Sequence, residues 1–385
     1  MDPIRNELAD SADTLPASSR LLRSNVITGS SPFLTIAIPH YKHREYIEIV
    51  LQSIFNQKSN QFEILVSDDC SPDDSNEVIP ALLEKSRRPY RYYAQEKNLG
   101  YDRNVRFCLR AATAPYVMLL GNDDALADEH VVGWLVSGLR AIGWPEVTVT
   151  NYKSWDKNSS LSKRVFATEL IGSGPSAALA NFRMFSFVSG LIYSREAALA
   201  HETDRWDHSI YYQIYLGCRI LASGGRLGAI DCVAVAKDVK VKGEGVPSYA
   251  TKHKNEPWSF QPHDGGLVSV IRVTIDAVIP YVASEKRSQV VAGAIRQMLA
   301  TSYLFWLVEY RRVANWAFAS GLARALWPSR AFAEYRLGAF HQCTLWLCYG
   351  FVTMIGLLAP VSLLKRLKGT VANVIRARQQ RRDVG

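Results

Sequence analysis

Two apolar runs in the first third of the chain close on clusters of acids, and few folds tolerate that pattern. FEILVSDD (Phe62 to Asp69) and PYVMLLGNDD (Pro115 to Asp124) are β-branched and hydrophobic until the last residues. Such runs read as buried strands whose ends emerge at a polar edge. FLTIAIP (Phe33 to Pro39), YRYYA (Tyr90 to Ala94) and EVTVTN (Glu146 to Asn151) have the same character without the acidic end. Helical spacing separates them. His43 to Gln57 places Tyr46, Ile49, Val50, Ile54 and Phe55 on one face, and Tyr101 to Ala112 and His130 to Ile142 follow suit. Ser71 and Pro72, followed by two acids, form a helix start. Strands alternating with helices predict an α/β fold with a mostly parallel central sheet covered on both faces. Ligands of such sheets lie beyond the carboxyl ends of the strands, where these acids sit.

The remainder divides by pattern. Residues 1–31 read as a flexible polar arm with no secretory signal, and 32–242 as the α/β domain. Within that domain Phe187 to Tyr193 and Arg226 to Ala236 read as strands and Ser209 to Ala222 as a helix. Residues 243–266, rich in Gly, Pro, His and Trp, read as a loop over the site or a linker, with His253 and His263 as weak ligand candidates. Residues 267–385 are helical and contain an uncharged apolar segment, 344–364. The net charge of +9 is uneven, because Lys365 to Arg382 contains no acid. That tail reads either as a solvated helix end or as an attraction to an anionic surface. The six cysteines include no C-x-x-C pair, which argues against zinc and for a reducing compartment.

Acids on one sheet edge repel unless something cationic or hydrogen-bonding holds them. A divalent cation with a nucleotide diphosphate meets that need, since Mg²⁺ and Mn²⁺ take one or two carboxylates and complete their shell with phosphate oxygens and water. Other schemes fit less well. No G-x-x-x-x-G-K-[ST] exists, which excludes a P-loop. GSGPSA (Gly172 to Ala177) matches a dinucleotide pattern, but no strand is expected before it and Pro175 interrupts the turn, so hydride transfer is not expected. No clustered aromatic and basic motif supports nucleic-acid binding.

FLTIAIPHYKHREYIEIVLQSIFNQ, FEILVSDDCSPDDS and NLGYDRNVRFCLRAATAPYVMLLGNDDAL together resemble the family-2 glycosyltransferases of GT-A fold in order, spacing and strand context. The resemblance runs from Phe33 to Asn151. It implies that Pro39 and Tyr41 line the nucleobase and ribose, which Asp68 and Asp69 contact. Asn98, Gly100 and Asn104 then approach the sugar-nucleotide, with Arg103 in reach of phosphate. Asn122, Asp123 and Asp124 occupy the metal site, with Asp123 on the donor and Asn122 and Asp124 as ligands of Mg²⁺ or Mn²⁺. Asn122 stands where the family more often has Asp.

Inverting members of this family use a carboxylate to deprotonate the acceptor hydroxyl, commonly in an E-D pair at a helix start. Counting back from SGGRL (Ser223 to Leu227), that position falls on Tyr212 and Gln213, neither of which is a base at neutral pH. The nearest carboxylates are Asp207, Asp204 and Glu202. Asp207 is either the cap of the following helix or the base; the expectation carried forward is the base. The likeness extends faintly to bacterial enzymes that add deoxysugars to lipid-linked O-antigen units. It implies a nucleotide-sugar donor, a polyprenyl-linked glycan acceptor and residence on the cytoplasmic leaflet of the plasma membrane. Segment 344–364 is then a monotopic or re-entrant anchor, because a single crossing cannot keep both the site and the basic tail in the cytoplasm. A nucleotide-sugar-binding protein impaired in catalysis is the alternative.

Overall fold

A computed structural model describes residues 19–25, 31–156, 161–243, 266–313 and 316–362. The elements that build the site run in the order β1 (Ser19–Asn25), β2 (Leu34–His40), α1 (Arg44–Phe55), β3 (Phe62–Asp68), α2 (Ser75–Lys85), β4 (Tyr90–Gln95), α3 (Tyr101–Ala111) and β5 (Tyr116–Leu119). They continue with β6 (Ala125–Leu126), α4 (Val131–Ala141), β7 (Val147–Ser154), β8 (Leu161–Ser162), β9 (Glu169–Ser173) and α5 (Gly174–Asn181). β10 (Leu191–Ser194), α6 (Arg195–Ala200), α7 (Tyr212–Ala222) and β11 (Arg226–Lys237) complete the set.

One sheet holds all the strands, in the order β1-β4-β3-β2-β5-β10-β7-β11-β6, with β8 on β7 and β9 on β11. The central run β4-β3-β2-β5 is parallel, as is the pair β7-β11. β10 enters antiparallel between β5 and β7. Every residue of β3 is buried, as expected of a strand covered on both faces. α1 buries Tyr46, Ile47, Val50, Leu51 and Ile54 at helical spacing, and these share one apolar cluster with the strands, Tyr46 aside. Glu63, inside β3, is tolerated because its carboxylate accepts from Thr35 Oγ1 at 2.6 Å and from Thr113 N and Oγ1 at 2.8 and 2.7 Å.

The chain forms two compact units, one of residues 1–251 with 276–281 and one of 252–275 with 282–385. The second is helical, with long helices at Ser284–Met298 and Ala339–Leu358. Three local expectations change. Ser19–Asn25, within the arm expected to be loose, is an edge strand antiparallel to β4. A strand, β9, does precede GSGPSA, and α5 begins at Gly174. β11 continues one residue past Ala236, which delivers Asp238 to the site. Residues 1–18, most of the 243–266 loop with His253 and His263, and the basic tail lie outside the described residues.

Candidate active site

The strand order reverses at β2: β3 and β4 extend to one side and β5 lies on the other. A crevice at the carboxyl ends is the geometric consequence, and the acids gather around it. At the end of β2, His40 is fully buried and its pKa is lowered to about 4 by burial. A neutral imidazole then serves as both donor and acceptor. His40 Nε2 meets Ser75 Oγ at 2.9 Å, Ser75 Oγ donates to Asp73 at 2.5 Å, and Asn122 Nδ2 donates to His40 Nδ1 at 3.1 Å. Asn122 also donates to the carbonyls of Lys42 and Tyr41, at 3.1 and 3.4 Å. Lys42 and His43 both take left-handed backbone conformations, φ 59° and 69°, so Asn122 holds a strained loop in place. A carboxylate, which only accepts, cannot make these bonds. That gives a physical reason for asparagine at this position. Tyr41 projects from the same loop, 38% exposed, and Pro39 is half-buried.

Asp68 and Asp69 are buried at the end of β3 and brace the surrounding loops. Asp68 accepts from Tyr92 OH and from the Ser71 amide, both at 2.9 Å. Asp69 accepts from the amides of Leu99 and Gly100 at 2.6 and 2.9 Å, and burial raises its pKa. Asn98 Oδ1 also accepts from the Gly100 amide at 3.0 Å. Gly100, with φ 85°, turns the chain into α3. Asn104 Nδ2 donates to the carbonyls of Ser67 and His40, tying β3 to β2, while its buried Oδ1 has no partner.

The second acidic group sits after β5. Asp124, 4% exposed, accepts from Ser189 Oγ at 2.5 Å and from the Asp238 amide at 2.9 Å. Burial first, then repulsion from Asp123, pushes its pKa up to about 7. Asp123 is also raised, by burial and by the neighbouring Asp238 carboxylate. A β-carbon on Gly121 would lie 3.0 Å from Asp123 Oδ1, 3.2 Å from Ser189 Oγ and 3.3 Å from Asp124 Oδ2. Three oxygens therefore crowd one small volume, and ionised carboxylates there need a counter-charge. Among the described residues no three His, Cys, Asp or Glu side chains form a ready metal cage. Binding by one or two carboxylates plus phosphate oxygens needs no such cage. Asp123 and Asp124 are the carboxylates here with lone pairs left for a cation, while Asn122 turns its amide nitrogen to the β2 loop.

Asp207, in the segment before α7, packs against α3. Its carboxylate is 5% exposed and accepts from Arg103 Nε at 2.7 Å and from Arg106 Nη2 and Nε at 2.8 and 3.1 Å. Arg106 also bridges to Glu202 at 2.9 Å, which Arg110 holds from its other oxygen at 2.7 Å. A carboxylate clasped by two guanidiniums is suited to anchoring them. Asp207 is thus tied to Arg103 and Arg106 of α3. Arg103 keeps a side chain 46% exposed.

Local patterns did not reveal Asp102, Arg164 and Asp238. Asp102 reaches across to accept from the amides of Ile210 and Tyr212 at 2.8 and 3.1 Å, so it caps the start of α7. Burial pushes its pKa up to about 6. Arg164 donates to the carbonyls of Thr150, Met184, Phe187 and Ser189, and burial lowers its pKa to about 10. It thereby fixes the segment that brings Ser189 to Asp124. Asp238 was the most accessible to sequence reasoning, since it is a third acid closing a strand.

Residues 35–170 match the family model described as glycosyl transferase family 2. The abequosyltransferase RfbV of Salmonella typhimurium is 26% identical over 205 residues, 48% of this chain and 57% of that protein. The GalNAc(5)-diNAcBac-PP-undecaprenol beta-1,3-glucosyltransferase of Campylobacter jejuni is 32% identical over 95 residues, 25% of this chain and 31% of that protein. The chain thus spans less than two thirds of the curated relatives it matches. The crystal structure of S. aureus TarS 1–349 with UDP-GlcNAc superposes with a TM-score of 0.56 at 15% identity, covering 84% of this chain and 89% of that one. At that identity the likeness is one of fold.

Proposed function

The chain carries a glycosyltransferase family 2 domain of GT-A fold, and on that premise we propose that it moves a sugar, with inversion, from a nucleotide-sugar donor to a glycan hydroxyl in bacterial surface polysaccharide synthesis. The observation that carries this reading is the convergence of Asp68, Asp69, Asp123 and Asp124 on the crevice where the strand order reverses. Tyr41 and Pro39 offer an apolar face to a nucleobase, beside Asp68 and Asp69, whose spare lone pairs can accept from base and ribose. Asn98, Gly100 and Asn104 shape the loop beneath the sugar, and Arg103 has the exposure to reach a phosphate. Asp123, with Asp238 beside it, would hold Mg²⁺ or Mn²⁺, which would offset charge on the diphosphate leaving group. Asp124 keeps Ser189 and the Asp238 amide in register.

Nucleotide binding tests the donor half. A panel of nucleoside diphosphates should raise the melting temperature of the wild-type chain, and Asp69→Asn or Asp123→Asn should abolish that rise. No response to any nucleotide would overturn the reading. A second reading, a donor-binding protein impaired in catalysis, is favoured by one observation: Tyr212 and Gln213 stand at the expected base position and Asp207 is clasped by arginines. It predicts binding without turnover.

The acceptor is proposed to be polyprenyl-linked and met at the cytoplasmic leaflet. Ser284–Arg312 and Ala339–Leu358 are long and apolar enough to cross a membrane. Along Ala339–Leu358 the side chains of Phe340, Leu347, Phe351, Met354 and Leu358 are 52–73% exposed, while Leu345, Tyr349 and Val352 pack inward. One apolar face toward lipid and one toward protein suits a helix lying in the interface, and the basic tail that follows suits anionic head groups. The full chain should float with anionic vesicles, and Leu347→Asp with Phe351→Asp should release it. Recovery of the wild-type chain as a soluble protein without detergent or salt wash would count against membrane attachment.

A further inference from the structure

The turn between Asp207 and Tyr212 is fastened to α3 at both ends. Arg103 and Arg106 hold Asp207, and Asp102 holds the amides of Ile210 and Tyr212. Between these anchors the backbone is strained, with His208 at φ 71° and Ile210 at φ 66°. A left-handed conformation is uncommon for histidine and a true outlier for a β-branched residue. Such strain persists only where surrounding contacts over-determine it. Here its effect is to present one side chain. The exposed imidazole of His208 lies against Gly100, whose amide Asp69 holds; a β-carbon on Gly100 would be 3.8 Å from His208 Nδ1 and 3.9 Å from Cε1.

Of the neighbouring carboxylates, Asp207 and Glu202 are committed to arginines and Asp102 to backbone amides, while Asp204 lies before the strained turn and outside its two anchors. His208 is exposed to solvent on this turn, and a ring nitrogen of a neutral imidazole can accept a proton. Resting on the transferase reading, we propose that His208 is the general base for the acceptor. As the acceptor oxygen bonds to the anomeric carbon, the bond from that carbon to the diphosphate oxygen breaks and its electron pair leaves with the diphosphate. The acceptor proton passes to the imidazole, which later returns it to water. Arg103, Arg106, Asp207 and Asp102 are the positioning residues that hold the turn.

The strain itself supplies a clean variant. Glycine adopts φ 71° without penalty, so His208→Gly should fold at least as stably as wild type and leave a space for imidazole. In the full chain, His208→Gly should lower kcat for transfer by about 10²–10⁴-fold, the usual worth of a positioned base. Nucleotide affinity should stay within about twofold, and added imidazole should restore part of the lost rate. Asp204→Asn, beside the turn, should turn over like wild type. Transfer by His208→Gly within about threefold of wild type, or a loss that imidazole does not restore, would overturn the assignment of His208 while leaving the transferase reading intact. Absence of turnover by the wild-type chain with every donor would overturn both.

Discussion

Replacing Asp124 with asparagine keeps the shape of the side chain and removes a charge that the fold does not welcome. Asp124 is 4% exposed, and its pKa stands at about 7 against an ordinary 3.8. One pKa unit is worth about 1.4 kcal/mol, so ionising this group in the folded state at pH 8 costs up to ~4 kcal/mol. The sign follows from proton counting. Between pH 3.8 and 7 the folded chain holds a proton that the unfolded chain has released, so this contribution to stability is present at low pH and is lost as pH rises through that window. Asparagine escapes the loss. Its carbonyl can keep the Asp238 amide, while its NH₂ group meets Ser189 Oγ less well, at a cost of about 1 kcal/mol. The net gain at pH 8 is on the order of 1–3 kcal/mol, a rise of several degrees for a unit of this size. Thermal unfolding in EDTA at pH 4 and pH 8 reads it directly. Asp124→Asn should melt at or below the wild-type temperature at pH 4 and above it at pH 8. An equal deficit at both values would refute the claim that Asp124 carries a buried, unwelcome charge.

Other perturbations follow from the same geometry. Asn122→Asp should lose about 1–3 kcal/mol of stability in urea unfolding, because an acceptor would then face the carbonyls of Tyr41 and Lys42; a neutral result would mean that the amide does not hold the loop. Gly190→Ala should destabilise by about 2 kcal/mol or more, since Gly190 has φ 82° and its β-carbon would clash with Thr150 Oγ1; chemical denaturation would show this. His40 is neutral in the fold, with a pKa lowered from 6.5 to about 4, so its contribution is present above pH 6.5 and lost as pH falls toward 4. His40→Gln should flatten that part of the acid limb in a pH series of melting temperatures.

The acidic strand ends were legible because their signals are local. An apolar run that ends in Asp68 and Asp69, or in Asp123 and Asp124, declares both a strand and the edge it faces, and the intervening helices carry their own period. The surroundings of Asp207 and Asp102 depend on contacts between residues about a hundred positions apart. Asp207 lies in a sequence that reads equally as a cap or a base; only the arrival of Arg103 and Arg106 from α3 decides its surroundings. Asp102 looks like an ordinary acid in the first turn of a helix, yet it caps a different one. β1 was invisible for a different reason. Residues 20–25 are exposed, and polar apart from Leu21 and Leu22, so the partner strand rather than a burial pattern makes it a strand.

The account turns on whether the acidic crevice holds a donor that the chain can cleave. Nucleotide release from a panel of nucleotide sugars, measured with Mn²⁺ and with EDTA, addresses that in one experiment. Release is expected from at least one donor, dependent on the metal and lost in Asp123→Asn. Release that is indifferent to both the metal and Asp123, or no release from any donor, would contradict it.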